Sequence, residues 1–119
     1  PSGEAGTVWN QRLSDIEQLV ENGNWKKASE ELSSLTVDLQ GYRSDYEEAE
    51  ELLNFVQDEW TTLRRRLNST SIRPDDENRR ATEKTVEAAK KSLDSGDIQA
   101  CLTALGKADE LLENLRRRI

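Results

Sequence analysis

From Trp25 to Leu67 apolar residues recur in alternating steps of three and four: Trp25, Ala28, Leu32, Leu35, Leu39, Tyr42, Tyr46, Ala49, Leu53, Val56, Trp60, Leu63 and Leu67. No step breaks the alternation, which is the heptad seam of a helix packed with a slight left-handed supercoil. At a rise of about 1.5 Å per residue such a helix extends on the order of 65 Å. In a chain of 119 residues so long an element dictates the rest, and the expected fold is all-α, an elongated four-helix rod around one central helix. Gly41 sits inside the run and costs about 1 kcal/mol against alanine. The heptad phase nevertheless passes through Tyr42 and Tyr46 without slipping, so one continuous helix over 24–67 is expected.

Shorter helices flank it. "TVWNQRLSDIEQLVENGN" places Trp9, Leu13, Ile16 and Val20 on one face, with Thr7 as N-cap and Asn22–Gly23 as a stop, giving a helix over 8–21 that folds back on the long one. After Leu67, "NSTSIRPDDENRR" carries Pro74 and a run of turn formers. Thr82, Val86, Ala89 and Leu93 then mark a helix over 76–94, ended by "DSGD". The last helix, 97–119, carries Ile98, Cys101, Leu102, Leu105, Ala108, Leu112, Leu115 and Ile119, a stripe broad enough for two neighbours.

Because antiparallel helices rise at the same rate, these lengths place a three-helix bundle at one end of the rod and a short two-helix hairpin at the other. In the bundle Val56, Trp60, Leu63 and Leu67 face Val86, Leu93, Leu102, Leu105, Leu112 and Leu115. Trp25 and Trp60 lie in the seam and are expected as core anchors, with Trp9 partly exposed.

Two turns read alike. "NGNWKKASEEL" and "SGDIQACLTAL" both run glycine, polar, large apolar, two residues, small residue. This is similar to the turn and second-helix start of tetratricopeptide hairpins, whose repeat is about 34 residues. Gly23 and Gly96 stand much farther apart than that, so the likeness implies shared hairpin physics, in which a small residue lets two helices approach closely.

The functional classes narrow by chemistry. There is no histidine, hence no common general base or transition-metal ligand. Cys101 is the only cysteine and falls on an apolar face, where it fills core and forms no internal disulfide. The acids of "DYEEAEELL" lie off the seam and read as a solvated face, and no glycine-rich phosphate loop is present. No catalytic residue, metal site or cofactor is assigned, and a non-enzymatic role is expected. The triplet "NST" at Asn68 matches a glycosylation acceptor, with nothing else pointing to secretion. No apolar run approaches membrane-spanning length, so no membrane partner is expected, and the single thiol favours a reducing, cytoplasmic setting. One helical domain over 1–119 is expected, a fragment of a larger protein.

Two surfaces remain. Although the net charge is −7, nine arginines gather at one end of the rod: Arg64, Arg65, Arg66, Arg73, Arg79, Arg80, Arg116, Arg117 and Arg118. Cations at helix C-termini complement the macrodipole, which accounts for Arg64–Arg66 and Arg116–Arg118 and leaves Arg79 and Arg80 unexplained. The cluster is a candidate anion-binding or docking surface. At the other end, two helices cannot enclose the apolar stripe, and Trp9, Leu35, Leu39, Tyr42 and Tyr46 form a candidate association surface. The expected function is an interaction or oligomerisation module, pairing with a protein partner or with itself as a homodimer. The alternative is a coiled-coil module of a DNA- or RNA-handling machine whose arginine end contacts phosphates.

Overall fold

The computed structural model describes the backbone of residues 3–119 and the side chains from residue 7 onward. It contains α1 (Gly3–Glu21), α2 (Trp25–Leu67), α3 (Glu77–Asp94) and α4 (Ile98–Arg118), with no strand among the described residues. The Cα trace measures 71 × 19 × 16 Å, a helical rod as the heptad run requires. All 43 residues of α2 are helical. Gly41 lies inside it, and a Cβ there would meet nothing within 4 Å. The first helix starts earlier than expected: Thr7 lies inside α1 and does not cap it.

The core sits in the bundle half. Leu53, Val56, Trp60, Leu63 and Leu67 of α2 are buried against Val86, Ala89 and Leu93 of α3 and Cys101, Leu105, Ala108, Leu112 and Leu115 of α4. Leu102, expected in this core, is exposed because it lies one position past the inward seam of α4. The connection from α2 to α3 plugs the bundle end. Its Ile72 is buried, and Thr70 bends the chain by donating its hydroxyl to the Leu67 carbonyl at 2.7 Å.

The two tight turns have one construction. In the first, the amide of Asn24 donates to the Leu19 carbonyl and that of Gly23 to Val20; in the second, Asp97 donates to Ser92 and Gly96 to Leu93. This crossed pair of bonds closes a helix C-terminus through a left-handed residue, and Gly23 and Gly96 take φ of +76° and +83°. Five positions on, Ala28 and Cys101 are both buried, the small residues at the crossing of each hairpin.

Counting outward from the two glycines superposes the hairpins position by position. Ala28 and Leu35, which face α1, correspond to Cys101 and Ala108, which face α3. Arg12, Asp15, Leu19, Lys27 and Glu31 line a shallow polar groove along one side of the first hairpin. Their counterparts Thr85, Ala88, Ser92, Ala100 and Ala104 line the same side of the second, so the hairpins share a hand. The other side of the second hairpin, with Val86, Leu93, Leu105 and Leu112, is buried under α2. In the first hairpin that side carries Leu13, Val20, Leu32 and Leu39, and no described helix covers it, since α1 packs on α2 alone.

This uncovered side corrects two expectations. Trp25 is 67% exposed and Leu32 49%, although both lie in the heptad run, because their seam faces the missing neighbour and not α1. On α1 the inward positions are Trp9, Arg12, Ile16 and Leu19, all partly buried, while Leu13 and Val20 are exposed.

Candidate functional site

The arginine end is held together mainly by its own ion pairs. Asp76 caps α3, accepting the Arg79 amide at 3.1 Å, and also receives both Nη atoms of Arg118, at 2.9 and 2.7 Å. Arg118's hydrogen bonds hold the Asp76 carboxyl at about 2, below its ordinary 3.8, against the opposing push of burial, with the Arg79 amide assisting. The same contact raises Arg118, and Glu59 raises Arg116, to which it is bonded at 2.6 Å. Arg117 lies 3.9 Å from Glu113. Arg64 pairs with Glu83 at 3.2 Å and lies over the Trp60 ring.

Arg79 does not belong to a docking surface. It is 7% exposed, and its guanidinium donates to the Ile72 carbonyl at 3.1 Å and to Asn68 Oδ1 at 2.8 Å. Its place near a helix N-terminus, unfavourable by the dipole, follows from this inward reach: the charge serves the connecting loop. Arg65, Arg66, Arg73 and Arg80 are exposed and form no ion pair among the described residues. The cluster of nine thus divides into one buried strut, four paired side chains and four that face solvent.

The second surface is the uncovered side of the first hairpin. Leu35 is not part of it, being 1% exposed and turned to α1. Trp9 is half-buried, its ring edge-on to Tyr42 at 5.8 Å, and its Nε1 is buried without a hydrogen-bond partner among the described residues. Tyr42 donates its hydroxyl to the Gly96 carbonyl at 3.0 Å, tying the second turn to the middle of α2. Leu39, Tyr42 and Tyr46, with Arg43, Leu93, Asp94 and Gly96, line a groove of about 410 Å³ where the hairpins abut. Burial raises the Tyr46 phenol above its ordinary 10.0, with Glu50 and Asp94 adding to the shift.

Helix phase joins groove and stripe. On α2 the polar side, Ser34 and Asp38, is fixed by Arg12, which pairs with Asp38 at 2.7 Å and reaches Ser34 at 3.5 Å. Trp25, Leu32, Leu39 and Arg43 fall on the opposite side at about 100° per residue. Leu13 and Val20 of α1 share that side. The apolar surface therefore runs from Trp25 at the tip, past Leu32 and Leu13, into the groove at Leu39 and Tyr46. Leu13, Val20 and Arg43 were absent from the unenclosed stripe read from sequence, which did include Trp25 and Leu32; the two matching turns, extended outward, carry the signal that finds them.

Cys101 is fully buried and burial raises its thiol. Among the described residues no group of three or more acids and cysteines is placed to hold a metal ion, and no helix is long and apolar enough to cross a membrane. No protein-family model, curated protein or solved structure matches this chain.

Proposed function

We propose that the chain is a non-enzymatic helical interaction module whose first hairpin receives a helical partner on its uncovered side, while the arginine end mounts the rod on the rest of a larger protein. The observation that carries this reading is the correspondence between the hairpins. Leu13, Val20, Leu32 and Leu39 occupy the positions that, as Val86, Leu93, Leu105 and Leu112, are buried under α2. A surface of that shape and polarity is one that a helix covers. The buried, unpaired thiol of Cys101 supports a reducing, cytoplasmic setting.

A photo-crosslinking residue placed at Leu32 tests the reading in cells, with one at Val37 as control. Val37 is also exposed but lies on the far side of α2. Protein adducts enriched at position 32 support the module; equal yields at both positions refute it.

The phosphate-contacting alternative draws its support from Arg65, Arg66, Arg73 and Arg80, the arginines without ion pairs. Each phosphate they neutralise would contribute about −0.7 to −0.9 to the slope of log affinity against log salt. The net charge of −7 opposes approach of a polyanion. Binding at low salt that is lost in the Arg65→Glu/Arg80→Glu double variant supports it, and equal binding by both proteins removes it.

A further inference from the structure

We infer that the partner on the uncovered side is a second copy of this chain lying antiparallel, with Trp25 of each copy seated in the other's groove between Leu39, Tyr46 and Leu93. This rests on the interaction-module reading and names its partner.

Knob and hole lie on the same side of the same helix. Trp25 is the most exposed large apolar side chain, and the groove is centred near Tyr42 and Arg43, about 26 Å away at about 1.5 Å per residue. A twofold axis crossing the interface beside residues 33 and 34 exchanges the two, so each tryptophan meets the other copy's groove at once. The side chains between them are compatible with that register. Leu32 of one copy falls beside Thr36 of the other, and Leu39 beside Ser29, large against small on both sides of the axis. Leu13 falls opposite Glu17, close to the axis, where the stem of the glutamate can cover it.

Charge supports the same arrangement. Arg43 borders the groove, and its guanidinium comes to the face of the incoming Trp25, a cation–π contact. The acids on the exposed rim of α1, Glu17 and Glu21, fall opposite Leu13 and Asn10 of the other copy. No like charges are opposed along the facing surfaces. In a parallel pairing, by contrast, Arg43 would lie level with Arg43 and each Trp25 would lie at the same end of the rod as its twin, with both grooves unfilled.

Size sets the expected strength. The exposed parts of Trp25, Leu32, Leu13 and Val20, with the groove and its rim, come to on the order of 600 Å² per copy, somewhat less than the ~800 Å² of a standard interface. A reversible dimer with a dissociation constant in the micromolar range is expected, with the tryptophans as its anchors.

Sedimentation velocity from about 5 to about 500 µM covers that range. The wild-type chain is expected to pass from monomer to dimer, and Trp25→Ala to weaken pairing by at least about tenfold. Its unfolding curve at low concentration should match wild type, because the side chain is exposed in the monomer. Spin labels distinguish the register: on Ser33 they should lie close across the axis, and on Lys26 they should be displaced by about 20 Å more along the rod and so lie clearly farther apart. Equal distances at the two sites, or a dimer indifferent to Trp25→Ala, overturn the reciprocal seating while leaving a helix-receiving surface in place. A strict monomer throughout overturns self-pairing, and the Leu32 crosslinks then decide whether the surface has another partner.

Discussion

Replacing Arg79 with alanine tests whether the arginine end is chiefly a structural device. The guanidinium is buried and donates to the Ile72 carbonyl and to Asn68 Oδ1, and no carboxylate lies within ion-pair distance of it among the described residues. Hydrogen bonds from charged donors contribute about 1.5–3 kcal/mol each, and truncation leaves both acceptors to find water in a part-buried loop. Loss of the buried aliphatic stem adds to this. The expected cost is about 3–5 kcal/mol, a large share of the 5–15 kcal/mol typical of a domain. The α3 cap is untouched, because Asp76 accepts the backbone amide at this position, so the loss reports on the side chain alone. Urea unfolding gives the magnitude, and Arg79→Lys, which retains the charge but cannot span both acceptors, should fall about midway. In native-state hydrogen exchange, residues 68–76 should lose protection first. A cost below about 1 kcal/mol for Arg79→Ala would refute the strut and return Arg79 to the candidate surface.

Trp60 fills the bundle core at 4% exposure, and Trp60→Ala should cost about 3–5 kcal/mol in the same denaturant assay. Gly23→Ala places a Cβ at φ +76°, where space is free but the left-handed backbone is strained, and should cost about 1–2 kcal/mol by thermal melting. Asp76 titrates at about 2 when folded and near 3.8 when unfolded, so its contribution is full above pH 3.8 and is lost as pH falls toward 2. The stability difference between wild type and Asp76→Asn should therefore hold constant from pH 5 to 7 and shrink on acidification, with asparagine still able to cap α3.

How much of this was legible depended on how many neighbours each residue serves. The length and continuity of α2 followed from one unbroken pattern, and the turns from Gly23 and Gly96, where backbone geometry admits little else. The heptad pattern does not tell one seam from two. Ala28 and Leu35 face α1, whereas Trp25 and Leu32 face a side with no described neighbour, yet all four share one spacing. On α1 the same ambiguity hid Arg12, whose charge argues for solvent while its stem lies inward, partly buried beside Asp38. Arg79 was illegible for a different reason. Its partners Ile72 and Asn68 belong to an irregular loop, and no periodicity predicts which carbonyl such a loop turns inward.

The separate footing of the two hairpins on α2 has a thermodynamic consequence. Because α1 packs on α2 alone, peeling it away exposes Ala28 and Leu35 but leaves the cluster around Trp60 and Leu112 intact. The N-terminal part of the rod can fray as its own cooperative unit while the C-terminal bundle stays folded. Anything that binds the uncovered side stabilises the first unit directly, and the second only through Leu93 and Asp94 at the groove, by an amount that grows with the logarithm of its concentration. The free energy needed to fray the N-terminal half of the rod then rises with occupancy, so a bound partner makes the whole length of the rod stiffer.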